Sequence, residues 1–373
     1  MKCLHICNDF SFTKVHKNLY THLDDLGLGQ VIYNPIRQNT PIGNNTIKFK
    51  SPNSKIIYSK MLKKYHRIFF NRKINFLFKD IVRKCDLKNI DIIHATTLFS
   101  DGALALKIFK TYNIPYIVAV RGTDVNAFLK YRPDLFFILR EILIHAREIV
   151  YLSSSIKNQF EKKIYIKLTN IKFKDKTQVI YNGIDTFWLS NICSKKEIKN
   201  PYKILYVGRF DKNKNTIKLI SAIKELKKEY PNLEVELVGK DGANEEKVLS
   251  LSKSHNGFIT YNGPKYDKNE LKKVFLSNHI FAMPSHSETF GLVYLEALSQ
   301  GLPILCSKNQ GIDGTFNFKI GEFAKPNSVK SIVDSLREII LNYNTYQLNK
   351  IDFAEFHWEK IAHNYINIYK RCL

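Results

Sequence analysis

The chain has 373 residues, with 58 Lys and Arg against 34 Asp and Glu, a net charge of +24 and 44% hydrophobic residues. That length suits two or three domains with substantial cores, and the hydrophobic content is that of an ordinary globular protein. No apolar run reaches the ~18 residues of a membrane-spanning helix, and Met1–Cys7 is too short for a secretory signal. The six cysteines (Cys3, Cys7, Cys85, Cys193, Cys306, Cys372) lack CxxC pairing and finger spacing, which favours reduced thiols in a cytoplasmic protein over disulfides or zinc.

In chain order, apolar strands alternate with amphipathic helices, the signature of parallel sheets. The first half predicts strands at Cys3–Cys7, Gln30–Tyr33, Ile90–His94, Tyr116–Val120, Ile149–Ser153 and Gln178–Tyr181. The loop after the first strand, Asn8 to Lys14, offers Ser11, Thr13 and Lys14 rather than glycines for an anion. Gly27 and Gly29 follow a helix, not a strand, and make no dinucleotide fingerprint. The segment Lys60–Lys79 mixes Lys60, Lys63, Lys64, Arg67, Arg72 and Lys73 with Leu62, Tyr65, Ile68, Phe69, Phe70, Phe76 and Phe78. It reads either as a helix in the headgroup region of an anionic membrane or as a domain helix with one buried face. In doubly wound sheets ligands sit beyond the carboxyl ends of the strands, which selects His94 and Arg121-Gly122-Thr123-Asp124. Each has a second reading: His94 as a satisfied core histidine, Arg121 as the ion-pair partner of Asp124. The polar segment 187–201 reads as a linker between domains 1–186 and 202–354.

The second half predicts strands at Lys203–Val207, Glu234–Val238, Phe258–Tyr261, Ile280–Pro284 and Pro303–Cys306. The first leads directly into Gly208-Arg209-Phe210, with Lys214 five residues after Arg209 and a helix from about Ile217. Strand, glycine, then cations before a helix suits an anion; Arg209 can grip a diphosphate bidentately and Lys214 adds a point charge. Pro284–Ala297 ends a strand and opens a helix near Phe290, with Glu288 and Glu296 flanking its start. Free N–H groups of a first helical turn seat phosphate, and the two carboxylates, roughly 10 Å apart along the helix, can accept sugar and ribose hydroxyls. Acids near a helix start also occur simply because they favour the helix dipole. The last segment, Phe353–Leu373, has helical apolar spacing at Phe356, Ile361, Tyr365, Ile368 and Tyr369.

Gly208-Arg209-Phe210-Asp211 with Lys214, then Pro284-Ser285, Glu288-Thr289-Phe290-Gly291-Leu292 and Glu296, resembles the donor half of family 4 retaining glycosyltransferases with the GT-B fold. Tyr181-Asn182-Gly183-Ile184-Asp185, Leu237-Val238-Gly239, Tyr261-Asn262-Gly263 and Gly301-Leu302-Pro303-Ile304 agree in order; the likeness is close over about residues 170–345 and lies in strand–helix rhythm before that. The resemblance implies two facing Rossmann-like parallel-sheet domains with a cleft, and a C-terminal helix, about 355–373, crossing back to the first. It implies an acceptor site in the first domain, and retention at the anomeric carbon. Glu288, Arg209 and Lys214 would be catalytic. The nucleotide sugar would be bound by them with Gly208, Thr289, Phe290, Gly291, Leu292 and Glu296. His94, Arg121, Asp124 and Lys14 are further candidates on the acceptor or donor-sugar side. Relatives often carry a glycine-rich first loop and His-Gly at the place of Arg121-Gly122, and this chain departs from both.

No Asp-x-Asp motif occurs in the chain, so the expectation is an enzyme with neither metal nor cofactor, whose cations and helix start neutralise the leaving group. Residues 1–190 hold 31 Lys and Arg against 14 Asp and Glu, which points to an anionic acceptor or membrane surface. The reading is therefore a cytoplasmic transferase of surface-polysaccharide type, peripheral on the inner face of the membrane and without a nucleic-acid partner. A sugar-nucleotide epimerase of the same architecture is the alternative, and a basic nucleic-acid or membrane-binding protein is another. A glycoside hydrolase would leave Arg209 and Lys214 without a task.

Overall fold

A computed structural model describes residues 1–194, 198, 200 and 202–373. The chain divides into two compact units: Met1–Leu152, Ile156–Gly183 and Glu355–Leu373 form the first; Ser153–Ser155 and Ile184–Ala354 the second.

Among the described residues the first unit holds a seven-stranded parallel sheet: β1 (Lys2–Ile6), β2 (Gly29–Asn34), β3 (Lys55–Tyr58), β4 (Ile92–Ala95), β5 (Tyr116–Val120), β6 (Glu148–Tyr151) and β7 (Thr177–Val179), in the order β3-β2-β1-β4-β5-β6-β7. Strand residues alternate between two cores. Cys3, Ile32, Ile92, Ile117 and Val150 face one layer; Leu4, Val31, Ile93, Val118 and Ile149 face the other. Both faces must therefore be covered, which is why these strands read as continuous apolar runs. Helices Lys14–Asp25 and Trp358–Cys372 cover the first layer through Leu19, Leu23, Ile361, Tyr365 and Ile368; helices Phe70–Lys84, Ser100–Tyr112 and Phe136–His145 cover the second. Gly183 lies against the Trp358 indole, where a Cβ would approach its ring to 2.4 Å.

Among the described residues the second unit holds six parallel strands: β8 (Lys203–Val207), β9 (Glu234–Val238), β10 (Ile259–Tyr261), β11 (Ile280–Ala282), β12 (Ile304–Ser307) and β13 (Gly321–Ala324), in the order β10-β9-β8-β11-β12-β13. Strand order reverses direction between β1 and β4 in one sheet and between β8 and β11 in the other, which marks the ligand-binding end of each.

Two strands, β3 and β13, are absent from the sequence reading, and the helix after β11 begins at Leu292 rather than Phe290. The expected linker 187–201 starts inside a short helix, Thr186–Leu189, and its residues Lys195, Lys196, Glu197, Lys199 and Pro201 lie outside the described residues. Lys60–Lys79 is not one surface helix. A 3-10 turn at Lys64–Arg67 leads into the helix Phe70–Lys84, whose stripe of Phe70, Ile74, Leu77 and Ile81 is buried against the sheet. That i, i+4, i+7, i+11 spacing satisfies the domain core first. Lys73 goes inward with it, 7% exposed, and so drops out of the surface cations. No helix among the described residues is long and apolar enough to cross a membrane.

Candidate active site

The loops after β8 and β11 are joined by asparagines. Asn213 accepts the Ser287 N–H at 3.0 Å and donates to the Ser287 carbonyl at 2.8 Å, while the His286 N–H reaches the Asn213 carbonyl at 2.7 Å. Asn215, in the left-handed region at φ 61°, donates to the carbonyls of Pro284 (3.0 Å) and Pro326 (2.7 Å). These bonds position Lys214, whose ammonium meets Glu288 Oε2 at 2.6 Å, with side chains 25% and 15% exposed. An ammonium has three donors, so this pair leaves two for a phosphate.

Glu288 is held from several sides. Its N–H donates to Gln310 Oε1 at 3.1 Å, and its carbonyl accepts the Gly311 N–H at 3.0 Å. Gly291 (φ +81°) and Gly311 (φ +54°) approach its side chain so closely that a Cβ on either would lie 3.1 Å from Glu288 Cγ. At Gly291 a Cβ would also lie 2.6 Å from the Tyr294 ring. Only glycine serves there, because a left-handed backbone coincides with a blocked Cβ direction. Gly291 caps the helix Leu292–Ser299, whose first N–H groups open beside Glu288. Phe290 is 1% exposed and acts as an anchor; Thr289 and Leu292 are partly exposed.

Arg209 differs from Lys214. Its side chain is 65% exposed and its ion pair with Asp211 is long, 3.6 Å, so the guanidinium is available to an incoming anion. Its carbonyl is fixed by the Tyr206 hydroxyl at 2.6 Å, and Gly208 precedes it at the end of β8. Glu296 lies farther along the helix near the Lys268–Asp185 pair, which closes at 2.6 Å. Burial, reinforced by Asp185 and opposed by Lys268, pushes its carboxyl up to about 7.

In the first unit the structure separates the candidates. His94 is 2% exposed, its Nδ1 2.8 Å from the Tyr369 hydroxyl and its ring stacked 5.0 Å from Tyr365; burial, then Arg121, lowers its imidazole to about 3. It is a buried histidine packed against the C-terminal helix. Asp124 does not pair with the Arg121 guanidinium. Its buried carboxylate accepts the backbone N–H groups of Arg121 (2.9 Å), Leu98 (3.2 Å) and Phe99 (3.3 Å), tying two loops together. Arg121 Nε instead donates to the Thr96 carbonyl at 2.6 Å, and Nη2 sits 3.1 Å from His16 Nε2. Lys14 is exposed at the start of its helix, Ser11 is buried and donates to Asn34 at 2.6 Å, and Thr13 caps Val15. Asn213 and Asn215 belong to the motif that runs from Gly208 to Asn215 but had no role assigned from the sequence, and Gln310 and His16 escaped it. No group of three or more His, Cys, Asp or Glu among the described residues is arranged for a metal ion.

Comparison with known proteins adds the family. The family "Glycosyl transferases group 1" matches residues 191–350 and "Glycosyltransferase Family 4" matches residues 18–187. Alpha-monoglucosyldiacylglycerol synthase of Acholeplasma laidlawii is 28% identical over 310 residues, 77% of this chain and 74% of its own. An uncharacterized 41.2 kDa protein in the cps region of Klebsiella pneumoniae is 25% identical over 92% of this chain and 96% of its own. The lipopolysaccharide outer core galactosyltransferase WaaB, in its apo form, superposes with a TM-score of 0.73 at 18% identity, over 100% of both chains. That likeness places the chain in the GT-B fold.

Proposed function

The chain belongs to the glycosyltransferases of group 1 and family 4, and we propose that it moves a sugar from a nucleotide-diphosphate sugar to a glycan or lipid-linked acceptor in surface polysaccharide synthesis, with retention and without a metal ion. The observation that carries the donor reading is the Lys214–Glu288 pair, at 2.6 Å, beside the helix start at Gly291, together with the exposed Arg209. In the reaction the bond between the anomeric carbon and the diphosphate breaks and negative charge grows on the leaving oxygen. Arg209, the remaining Lys214 donors and the helix N–H groups stabilise that charge, and Glu288 orients the departing sugar through its hydroxyls. Glu296 accepts from the ribose. Attack from the leaving-group face lets a donor phosphate oxygen take the acceptor proton. The names of the Acholeplasma relative and of the galactosyltransferase support a lipid or surface-glycan acceptor.

With EDTA in excess, transfer from the preferred nucleotide sugar should continue, and NMR of the product should show the donor's anomeric configuration. Loss of activity restored by Mg²⁺, or an inverted product, would remove the corresponding part of the reading.

The membrane contact belongs to the turn preceding the helix Phe70–Lys84. Met61, Tyr65, Ile68 and Phe69 are 54%, 42%, 72% and 49% exposed among Lys60, Lys63, Lys64, Arg67 and Arg72. Each Lys or Arg near an anionic surface contributes about 1 kcal/mol, and inserting Ile68 and Phe69 about 1.5–3 kcal/mol apiece. Flotation with phosphatidylglycerol vesicles should retain the wild type and lose most of an Ile68→Asp, Phe69→Asp variant. Equal flotation of the two would disprove the contact.

A further inference from the structure

We propose that the basin at the carboxyl ends of β1, β2 and β4 is a seat for the anionic group, phosphate or carboxylate, of a hydroxylated acceptor, gripped by Arg37 and Lys73. The word acceptor rests on the transferase reading above; the binding itself does not. A cavity of about 210 Å³ lies there, lined by Asn8, Asp9, Arg37, Lys73, Ser100 and Asp101 among others. It is smaller than the ~300–1,000 Å³ that encloses a drug-sized ligand, and so fits one end of a larger molecule. It also sits where the strand order of the first sheet reverses, the binding end of such a sheet.

Neither cation of this basin forms an ion pair among the described residues. Lys73 is 7% exposed and its ammonium donates to Ser100 Oγ at 2.7 Å, yet among the described residues no carboxylate comes within the 4.0 Å of an ion pair. Arg37 spends its backbone N–H on Thr40 Oγ1 at 2.8 Å, and its guanidinium likewise forms no ion pair among them. A buried ammonium with no carboxylate at ion-pair distance is costly. Burial, with Arg37 and Arg132 adding to it against Asp101 and Asp9, lowers Lys73 to about 8. Arg37 is lowered too, by burial and then by Arg67. An anion placed between the two relieves both strains at once.

The two acids of the basin do not fill that role. Asp101 accepts from Asn8 Nδ2 at 3.0 Å and Thr96 Oγ1 at 2.9 Å, and burial, then Asp9, pushes it up to about 7, which thins its negative charge near neutrality. Asp9, partly exposed at the rim, is placed to accept from a hydroxyl. Cations inside and a carboxylate at the edge match a sugar phosphate or a uronic acid better than a neutral sugar or a bare anion.

The test is calorimetric titration of the full chain with glucose 6-phosphate, glucuronate, inorganic phosphate and glucose, for wild type, Lys73→Met, Arg37→Gln and, as control, Arg209→Ala. Arg37→Gln touches a partly exposed residue and keeps the proposal testable if Lys73→Met misfolds. The expected result is saturable binding of the sugar phosphate or the uronate, weakened at least tenfold in both basin variants, retained in Arg209→Ala, and absent with glucose. Whichever acid binds more tightly identifies the phosphate or carboxylate source. Binding that survives both basin substitutions, or is lost in Arg209→Ala instead, overturns the proposal, as does no binding of either acid. A nucleotide titration of the same samples reports the donor site separately, so the two readings fail independently.

Discussion

Replacing Glu288 with alanine is expected to cut the rate of transfer about 100- to 1,000-fold, the scale seen when one preorganised polar group is removed from a reacting centre. Nucleotide affinity should change less than about threefold, within the scatter expected of a residue that does not touch the nucleotide. The geometry requires the contrast. Glu288 is fixed by Gln310 and Gly311 through its backbone, hemmed by Gly291 and Gly311 at its side chain, and paired with Lys214 at 2.6 Å. A group so constrained costs nothing to orient as the sugar leaves. Lys214→Ala should lose a similar factor, because it removes a leaving-group cation and also strands a carboxylate that is only 15% exposed. Two residues in direct contact do not add, so the double variant should resemble the worse single one. Steady-state kinetics on the three variants checks this; multiplicative losses would mean that the pair does not act as a unit.

Glu296→Ala is expected to lower nucleotide affinity about tenfold or more, the loss of one to two hydrogen bonds to a charged acceptor, with kcat falling less. Its pH behaviour distinguishes it from Glu288. Burial pushes the Glu296 carboxyl from 4.5 up to about 7 in the folded chain. The folded state therefore holds this proton more tightly than the unfolded one, so its contribution to stability is present below about 4.5 and fades as pH rises toward 7. An ionised carboxylate accepts ribose hydroxyls more strongly than a neutral carboxyl, so nucleotide binding should strengthen between pH 6 and pH 8. Glu296→Gln should flatten both trends, measured by thermal unfolding and by nucleotide titration across that range. A wild-type affinity that weakens with rising pH, or an unchanged slope in the variant, would contradict this role.

What the sequence made legible follows from where each constraint resides. A strand buried on both faces is an unbroken apolar run, so Tyr116–Val120 emerges with its observed limits, while Lys203–Val207 and Glu234–Val238 emerge from apolar residues interrupted by partly exposed positions. Lys55–Tyr58 is an edge strand with no fully buried residue, and Gly321–Ala324 carries two buried positions out of four, so neither has a pattern to read apart from its partner strand. The residues of the loop containing Glu288 are contiguous and could be found; the bonds that set its shape reach across 74 positions to Asn213 and 22 to Gln310. His94 carried two readings because it stands near the end of a strand, and the Tyr369 hydroxyl beside its Nδ1 lies 275 positions away. The helix Phe70–Lys84 has the composition of a membrane-surface helix, and only the sheet beneath it explains why its apolar stripe faces inward.

The most direct test of the nucleotide-sugar site is a thermal-shift panel of UDP, GDP, ADP and CMP with their common sugar conjugates, in EDTA, on wild type and Arg209→Ala. A ligand held a hundredfold above its dissociation constant stabilises the folded chain by about 2.7 kcal/mol. The exposed Arg209 guanidinium and the helix start at Gly291 predict such a shift for one nucleotide family in the wild type and its loss in the variant. A shift that is the same in both proteins, or none with any nucleotide while the protein is folded, would contradict a donor site built on Arg209, Lys214 and Glu288.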